Sequence, residues 1–158
     1  MNGWSGSGDW KAIGGMIVND GNTGPSTSYA LAPYHASTID YAVEAELQIL
    51  NPEQFGAGVI VRHQEQGSYR CGVVSLNSDS AIITATDPAF SIEASRPFST
   101  GGKYHLYRVE ARGNTVKLSI DGAQYVQLTD NKYLDGVEVG LWSLHDEMSV
   151  RSFKVIAL

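Results

Sequence analysis

Glu44 and Glu46 stand two residues apart in a segment, residues 38–50, where apolar and polar positions alternate. Ile39, Tyr41, Val43, Ala45, Leu47 and Ile49 fall on one face; Asp40, Ala42, Glu44, Glu46 and Gln48 fall on the other. Side chains two apart on a strand share a face, about 7 Å from each other by strand rise. A retaining glycosidase holds its nucleophile and acid about 5–5.5 Å apart, so the pair approximates that geometry. An ion-paired sheet face, with Arg108 or Arg112 reaching across strands, accounts for the same residues. Arg108 and Glu110 repeat the spacing on a second alternating run. Collecting the outward positions of all such runs gives Glu44, Glu46, Arg62, Arg70, Arg108, Glu110 and Trp142 as candidate ligand-binding residues. Carboxylates accept from two hydroxyls, a guanidinium donates in pairs, and an indole offers a flat apolar surface, which together suit a polyhydroxylated ring. The competing reading is a solvated face of cross-strand charge pairs, divided between two surfaces.

These side chains can be positioned only by strands. Residues 104–122 read as a hairpin: Tyr107, Val109 and Ala111 alternate with Arg108, Glu110 and Arg112, and Val116, Leu118 and Ile120 alternate with Lys117, Ser119 and Asp121 across Gly113-Asn114. Period-two alternation on both sides of a glycine-bearing two-residue loop is a hairpin signal. Asp121-Gly122 then starts a further arm, residues 123–128. The same plan recurs at 10–13, 16–19, 28–32, 56–64, 69–76, 81–85, 91–94, 137–144 and 148–157, about twelve to thirteen strands in all. Residues 130–136 read as a loop that could hold a helical turn. Short strands at regular spacing with no convincing helix predict two antiparallel sheets packed face to face. Residues 1–9, rich in Gly and Ser, read as a linker or N-terminal loop, and residues 10–158 as one domain.

Composition narrows the partners. The chain has 158 residues, 42% of them hydrophobic, enough for a core without disulfides or metal. The net charge is −6, against the basic face that nucleic acid or an anionic membrane would require. No apolar run approaches a membrane-spanning length, so membrane insertion is not expected. Residues 1–10 carry neither a basic nor an apolar signal-peptide region. The lone cysteine, Cys71, lies in an apolar run and reads as a small core residue rather than a reactive thiol. His35, His63, His105 and His145 show no ligand spacing and read as surface or loop residues rather than a zinc site.

The order of motifs resembles a known family. Trp10-Lys11-Ala12-Ile13-Gly14-Gly15-Met16 is followed by Tyr41-Ala42-Val43-Glu44-Ala45-Glu46-Leu47 and by Gly56-Ala57-Gly58-Val59-Ile60-Val61-Arg62, then Tyr69. Tyr107-Arg108-Val109-Glu110-Ala111, Gly113-Asn114, Ile120-Asp121-Gly122, Gly136-Val137-Glu138-Val139-Gly140-Leu141-Trp142-Ser143 and Val150-Arg151-Ser152-Phe153-Lys154-Val155 complete the series. This is similar to the concanavalin A-like lectin/glucanase jelly rolls, nearest the laminin-G-like bacterial modules that include family 66 carbohydrate-binding modules and 3-keto-disaccharide hydrolase domains. The resemblance implies an all-β jelly-roll sandwich over residues 10–158. It also implies a non-catalytic module that binds an oligo- or polysaccharide on a concave sheet face, within a larger multidomain protein at the cell surface or outside the cell. Two alternatives stay open: a glycoside or 3-keto-glycoside hydrolase using Glu44, Glu46 or Glu110, and a laminin-G-like adhesion or structural module. The endoglucanase branch of the superfamily carries three acids on one strand, whereas Gln48 and Ile49 follow Glu46 here, so the third acid is missing. Many modules of the superfamily hold a structural calcium. Asp20, Asn22 and Thr23 in one turn, joined by Asp146, are the candidate oxygens, with plain turn chemistry as the competing explanation.

Overall fold

The computed structural model describes residues 1–21, 27–50, 56–75, 78–86 and 91–158. Among these there is no helix, and the strands are β1 (Ser5–Ser7), β2 (Trp10–Ile13), β3 (Met16–Asp20), β4 (Ser28–His35), β5 (Tyr41–Ile49), β6 (Gly56–Gln64), β7 (Gly67–Ser75), β8 (Asp79–Ala85), β9 (Ser91–Pro97), β10 (Tyr104–Arg112), β11 (Thr115–Ile120), β12 (Ala123–Thr129), β13 (Glu138–Leu144) and β14 (Glu147–Ala157). They form two seven-stranded antiparallel sheets. Sheet A runs β1-β4-β13-β6-β7-β8-β9, and sheet B runs β12-β11-β10-β5-β14-β3-β2.

The alternation seen in the sequence determines which side chains enter the core. In sheet B, Tyr107, Val109 and Ala111 pair with Ile120, Leu118 and Val116, and all six are buried. On β5, Tyr41, Val43, Ala45, Leu47 and Ile49 point inward, where they meet Val59, Val61, Tyr69, Cys71 and Ile83 of sheet A in one apolar cluster. Burying each large aliphatic side chain here contributes about 1.5–3 kcal/mol relative to exposure. The hairpin turns follow from local chemistry. Gly113 takes φ +54°, and Asp121 and Gly122 take +52° and +84°, the paired left-handed conformation of a tight hairpin turn.

Three expectations change. Residues 5–7, expected as linker or loop, form β1 on the edge of β4, with Ser5 opposite Leu31 and Ser7 opposite Tyr29. Ile39, expected on the buried face of a strand from residue 38, precedes β5 and is 53% exposed. Residues 130–136 make no helical turn; Tyr133 takes φ +51° and its ring is buried against Tyr69.

Candidate functional site

The seven candidate ligand-binding residues are dispersed rather than gathered. Four lie on the outer face of sheet B. Arg108 Nη1 donates to Glu44 Oε1 at 2.6 Å, Arg108 Nη2 is 3.0 Å from Glu110 Oε1, and Lys117 Nζ is 2.8 Å from Glu110 Oε2. The register dictates this ladder: Arg108 is directly opposite Glu44 on β5, and Glu110 is opposite Lys117 on β11. Glu46 belongs to a separate pair, accepting from Arg151 of β14, whose guanidinium lies 4.2 Å over the Tyr104 ring. Glu44 and Glu46 are therefore anchored by different arginines. Lys117 and then Arg108 hold the Glu110 carboxyl below its ordinary range, and Arg151 does the same for Glu46. A general acid needs the opposite shift, toward the protonated form. On this face the donors and acceptors are already matched to each other.

Arg62 and Trp142 offer a ligand no surface. Arg62 is 1% exposed. Its guanidinium donates to the carbonyls of Leu134, of Gly113 at 2.7 Å and of Ile39 at 3.4 Å, and its N–H donates to Tyr41 Oη at 2.7 Å. It is a clamp tying three connections at one end of the sandwich. The reason is backbone geometry: Arg62 has φ +53° at a register shift between β6 and β7, which turns its side chain out of the strand's alternation and inward. Trp142 is on the outer face of sheet A but is 0% exposed. It packs with Ile60, Val74 and Ile82 in a second apolar cluster, and its Nε1 donates to the Cys71 carbonyl at 3.3 Å. Gly56 leaves room for the indole; a Cβ there would stand 2.9 Å from Trp142 Cη2. The indole is a packing element with no open face on which a ring could stack.

Arg70 differs from all of these. It sits on β7 opposite Ile60 of β6 and Thr84 of β8, which places it on the outer face of sheet A beside the second apolar cluster. It is half-buried, and among the described residues it has no ion pair and its Nε has no hydrogen-bond acceptor. Burial pushes its guanidinium below the ordinary arginine range, partly offset by the Tyr29 phenol. His63 lies close by, its ring stacked with Tyr29 at 6.4 Å between centroids and 29° between planes. Burial lowers the His63 imidazole below its ordinary value; Glu138, 3.8 Å from Nε2, opposes the shift and Arg70 adds to it. Tyr29, Glu138, His63 and Arg70 thus come from β4, β13, β6 and β7, four consecutive strands of one sheet. The sequence pointed to Arg70 but missed Tyr29, His63 and Glu138. Only the pairing of Glu138 with both His35 and His63, set by chain segments far apart, brings them to one face.

The calcium set is not assembled among the described residues. Asp20 ends β3, and Asp146 is buried in the turn before β14. Asn22 and Thr23 lie outside the described residues, and no group of three His, Cys, Asp or Glu side chains among those described is arranged to hold a metal.

No protein-family model and no curated protein matches the sequence. Solved structures do match. The carbohydrate binding module CBM66 from Bacillus subtilis superposes with a TM-score of 0.79 at 17% identity, covering 99% of this chain and 97% of that one. The chain has a concanavalin A-like jelly-roll fold. Other jelly rolls of this kind agree. The potassium-bound carbohydrate recognition domain of Emp46p gives a TM-score of 0.72 at 11% identity over 99% of this chain and 89% of that one. The exoplasmic/lumenal domain of VIP36, in a form bound to Ca2+ and mannose, gives 0.69 at 10% identity over 100% and 84%. At these identities the likeness is one of fold.

Proposed function

We propose that this chain is a non-catalytic carbohydrate-binding module that takes its glycan on the outer face of sheet A, with Arg70 as the polar anchor and Tyr29 as the ring platform. The observation that carries this reading is the state of Arg70: a half-buried guanidinium with no ion-pair partner among the described residues, next to an aromatic ring and an imidazole. An unmatched charged donor held against an apolar cluster has more to gain from a ligand than one already paired. The fold shared with carbohydrate-binding modules and lectin domains supports the same ligand class. A place outside the cell or in a secretory lumen, as one module of a larger protein, fits those neighbours. The hydrolase alternative gains nothing from the geometry, because Glu44, Glu46 and Glu110 are each held by a cation.

One observation favours the adhesion alternative. A groove of about 470 Å3 on sheet B is lined by Ile13, Met16, Val18, Leu50 and Tyr104 together with charged residues that include Lys11 and Glu147, and Ile13 and Leu50 are 56% and 40% exposed. Exposed apolar residues gathered in one groove suit a protein partner. Affinity electrophoresis of the full chain in gels containing a panel of plant, microbial and animal polysaccharides, with a parallel assay for released reducing ends, separates the readings. Retardation without product is expected. Product release would replace the module with an enzyme, and migration unaffected by every polysaccharide would leave adhesion in its place.

A further inference from the structure

We infer that the glycan carries an acidic sugar, whose carboxylate is received by the Arg70 guanidinium while its ring lies against Tyr29. This rests on the carbohydrate reading of the same face and narrows it to uronic acids.

The chain's six arginines meet different fates. The Nη groups of Arg62 donate to three backbone carbonyls although its Nε has no acceptor, Arg108 is held by Glu44 and Glu110, and Arg151 by Glu46. Arg96, exposed on β9, donates to the Gln124 carbonyl and covers the Tyr125 ring. Arg112 is exposed at the end of β10. Arg62 and Arg70 both leave a buried Nε without an acceptor, but Arg70 alone is half-buried and, among the described residues, has no ion pair and no acceptor for its outer Nη1 and Nη2 donors either. Its neighbours deepen the deficit. Ile60 and Ile82, on the same face, are fully buried and supply an apolar flank. Among the described residues, the side chains acting on it are the Tyr29 phenol and the His63 imidazole, neither of them a carboxylate. Glu138, the one carboxylate of the cluster, is on β13, across β6 and His63 from Arg70, and is largely exposed.

A planar guanidinium with two unused parallel donors matches a carboxylate bidentately. A carboxylate accepts from two of these donors at once and also cancels the cation's charge, whereas a sugar hydroxyl at the same place accepts without cancelling it and recovers only part of the cost of burying the charge. The phenol of Tyr29 and the imidazole of His63 are left to hydrogen-bond ring hydroxyls, which restricts the ligand to a sugar acid over a bare anion.

The test is isothermal titration calorimetry of the full chain with oligosaccharides of glucuronic and galacturonic acid, their methyl esters and the corresponding neutral sugars, in the presence and absence of sodium acetate. At least about tenfold tighter binding of one acid than of its methyl ester is expected, equivalent to about 1.4 kcal/mol. Arg70→Gln should bring the acid down to the level of the ester, and Arg70→Lys should retain part of the preference. Far-ultraviolet circular dichroism and a thermal melt establish that each variant is folded; if Arg70→Gln is not, Tyr29→Ala carries the test through loss of affinity for acid and ester alike. Equal binding of acid and ester, with both lost in Arg70→Gln, would overturn the acidic-sugar inference while leaving the carbohydrate reading intact. Full displacement by millimolar acetate would mark a bare anion site and overturn it as well. Binding of no glycan, acidic or neutral, would overturn the carbohydrate reading beneath it.

Discussion

The two outer faces of this sandwich each present an arginine from the middle of a strand, and the two arginines are in opposite states. On sheet B, Arg108 is flanked by Glu44 and Glu110, and Lys117 closes the ladder. On sheet A, Arg70 is flanked by Ile60 and Thr84 and faces Tyr29 and His63. The first face has spent its charges on itself. The second holds a cation that nothing in the described chain neutralises. Richness in charged residues is thus a poor guide to a binding face, because cross-strand pairing makes the charge-rich face the self-sufficient one. The face with fewer charges, and with an unmatched one, is the face proposed to take the ligand.

That contrast can be broken most forcefully through the packing that supports sheet A. Trp142→Ala should cost about 3–5 kcal/mol in chemical denaturation, because it empties the second apolar cluster and leaves the Cys71 carbonyl without its indole donor. Binding should fail with the fold and not before it; a stable Trp142→Ala protein would mean the indole is no packing element. Arg70→Gln should separate binding from stability. Glycan affinity should fall at least about tenfold, while the denaturation midpoint stays level or rises, because a desolvated and unmatched charge is removed. A clear loss of stability would show that Arg70 is structural after all, as Arg62 is.

Smaller effects belong to sheet B. A double-mutant cycle on Arg108→Gln and Glu44→Gln should return a coupling of about 0.2–1 kcal/mol, since both side chains are partly open to water. Neither variant should alter glycan binding. The pH dependence has a fixed sign. Lys117 and Arg108 hold the Glu110 carboxyl below its ordinary value of 4.5, so its contribution to stability is complete above that value and is lost as pH falls through the lower folded-state value. Urea denaturation between pH 6 and pH 2 should therefore show a smaller acid loss in Lys117→Met than in the parent chain.

Much of the fold was legible because it is local. The alternation of residues 104–122 needs only a two-residue loop to become a hairpin, and the observed register pairs Tyr107 with Ile120 as that alternation requires. The like-facing pair Arg108 and Glu110 was legible for the same reason. Of the candidate site only Arg70 was legible, and the cause is topological. Sheet A sets β13 between β4 and β6, so Glu138 meets His63 across some 75 residues of chain that no local period can bridge. Arg62 shows the second limit. Alternation places it outward beside Ile60, and a single left-handed residue at the β6 register shift reverses it. Trp142 shows the third: its face was legible, but the second apolar cluster that covers it joins four separate strands.

The central claim is that ligand enters on the face of Arg70 and not on that of Arg108. An NMR titration of the isotopically labelled chain with the polysaccharide fragment that retards it most strongly tests this directly. Chemical-shift changes are expected to concentrate at Tyr29, His63, Arg70, Thr84 and Glu138, with Glu44, Arg108, Glu110 and Lys117 unmoved. Shifts concentrated on the Glu44, Arg108 and Glu110 ladder, with Arg70 silent, would contradict it.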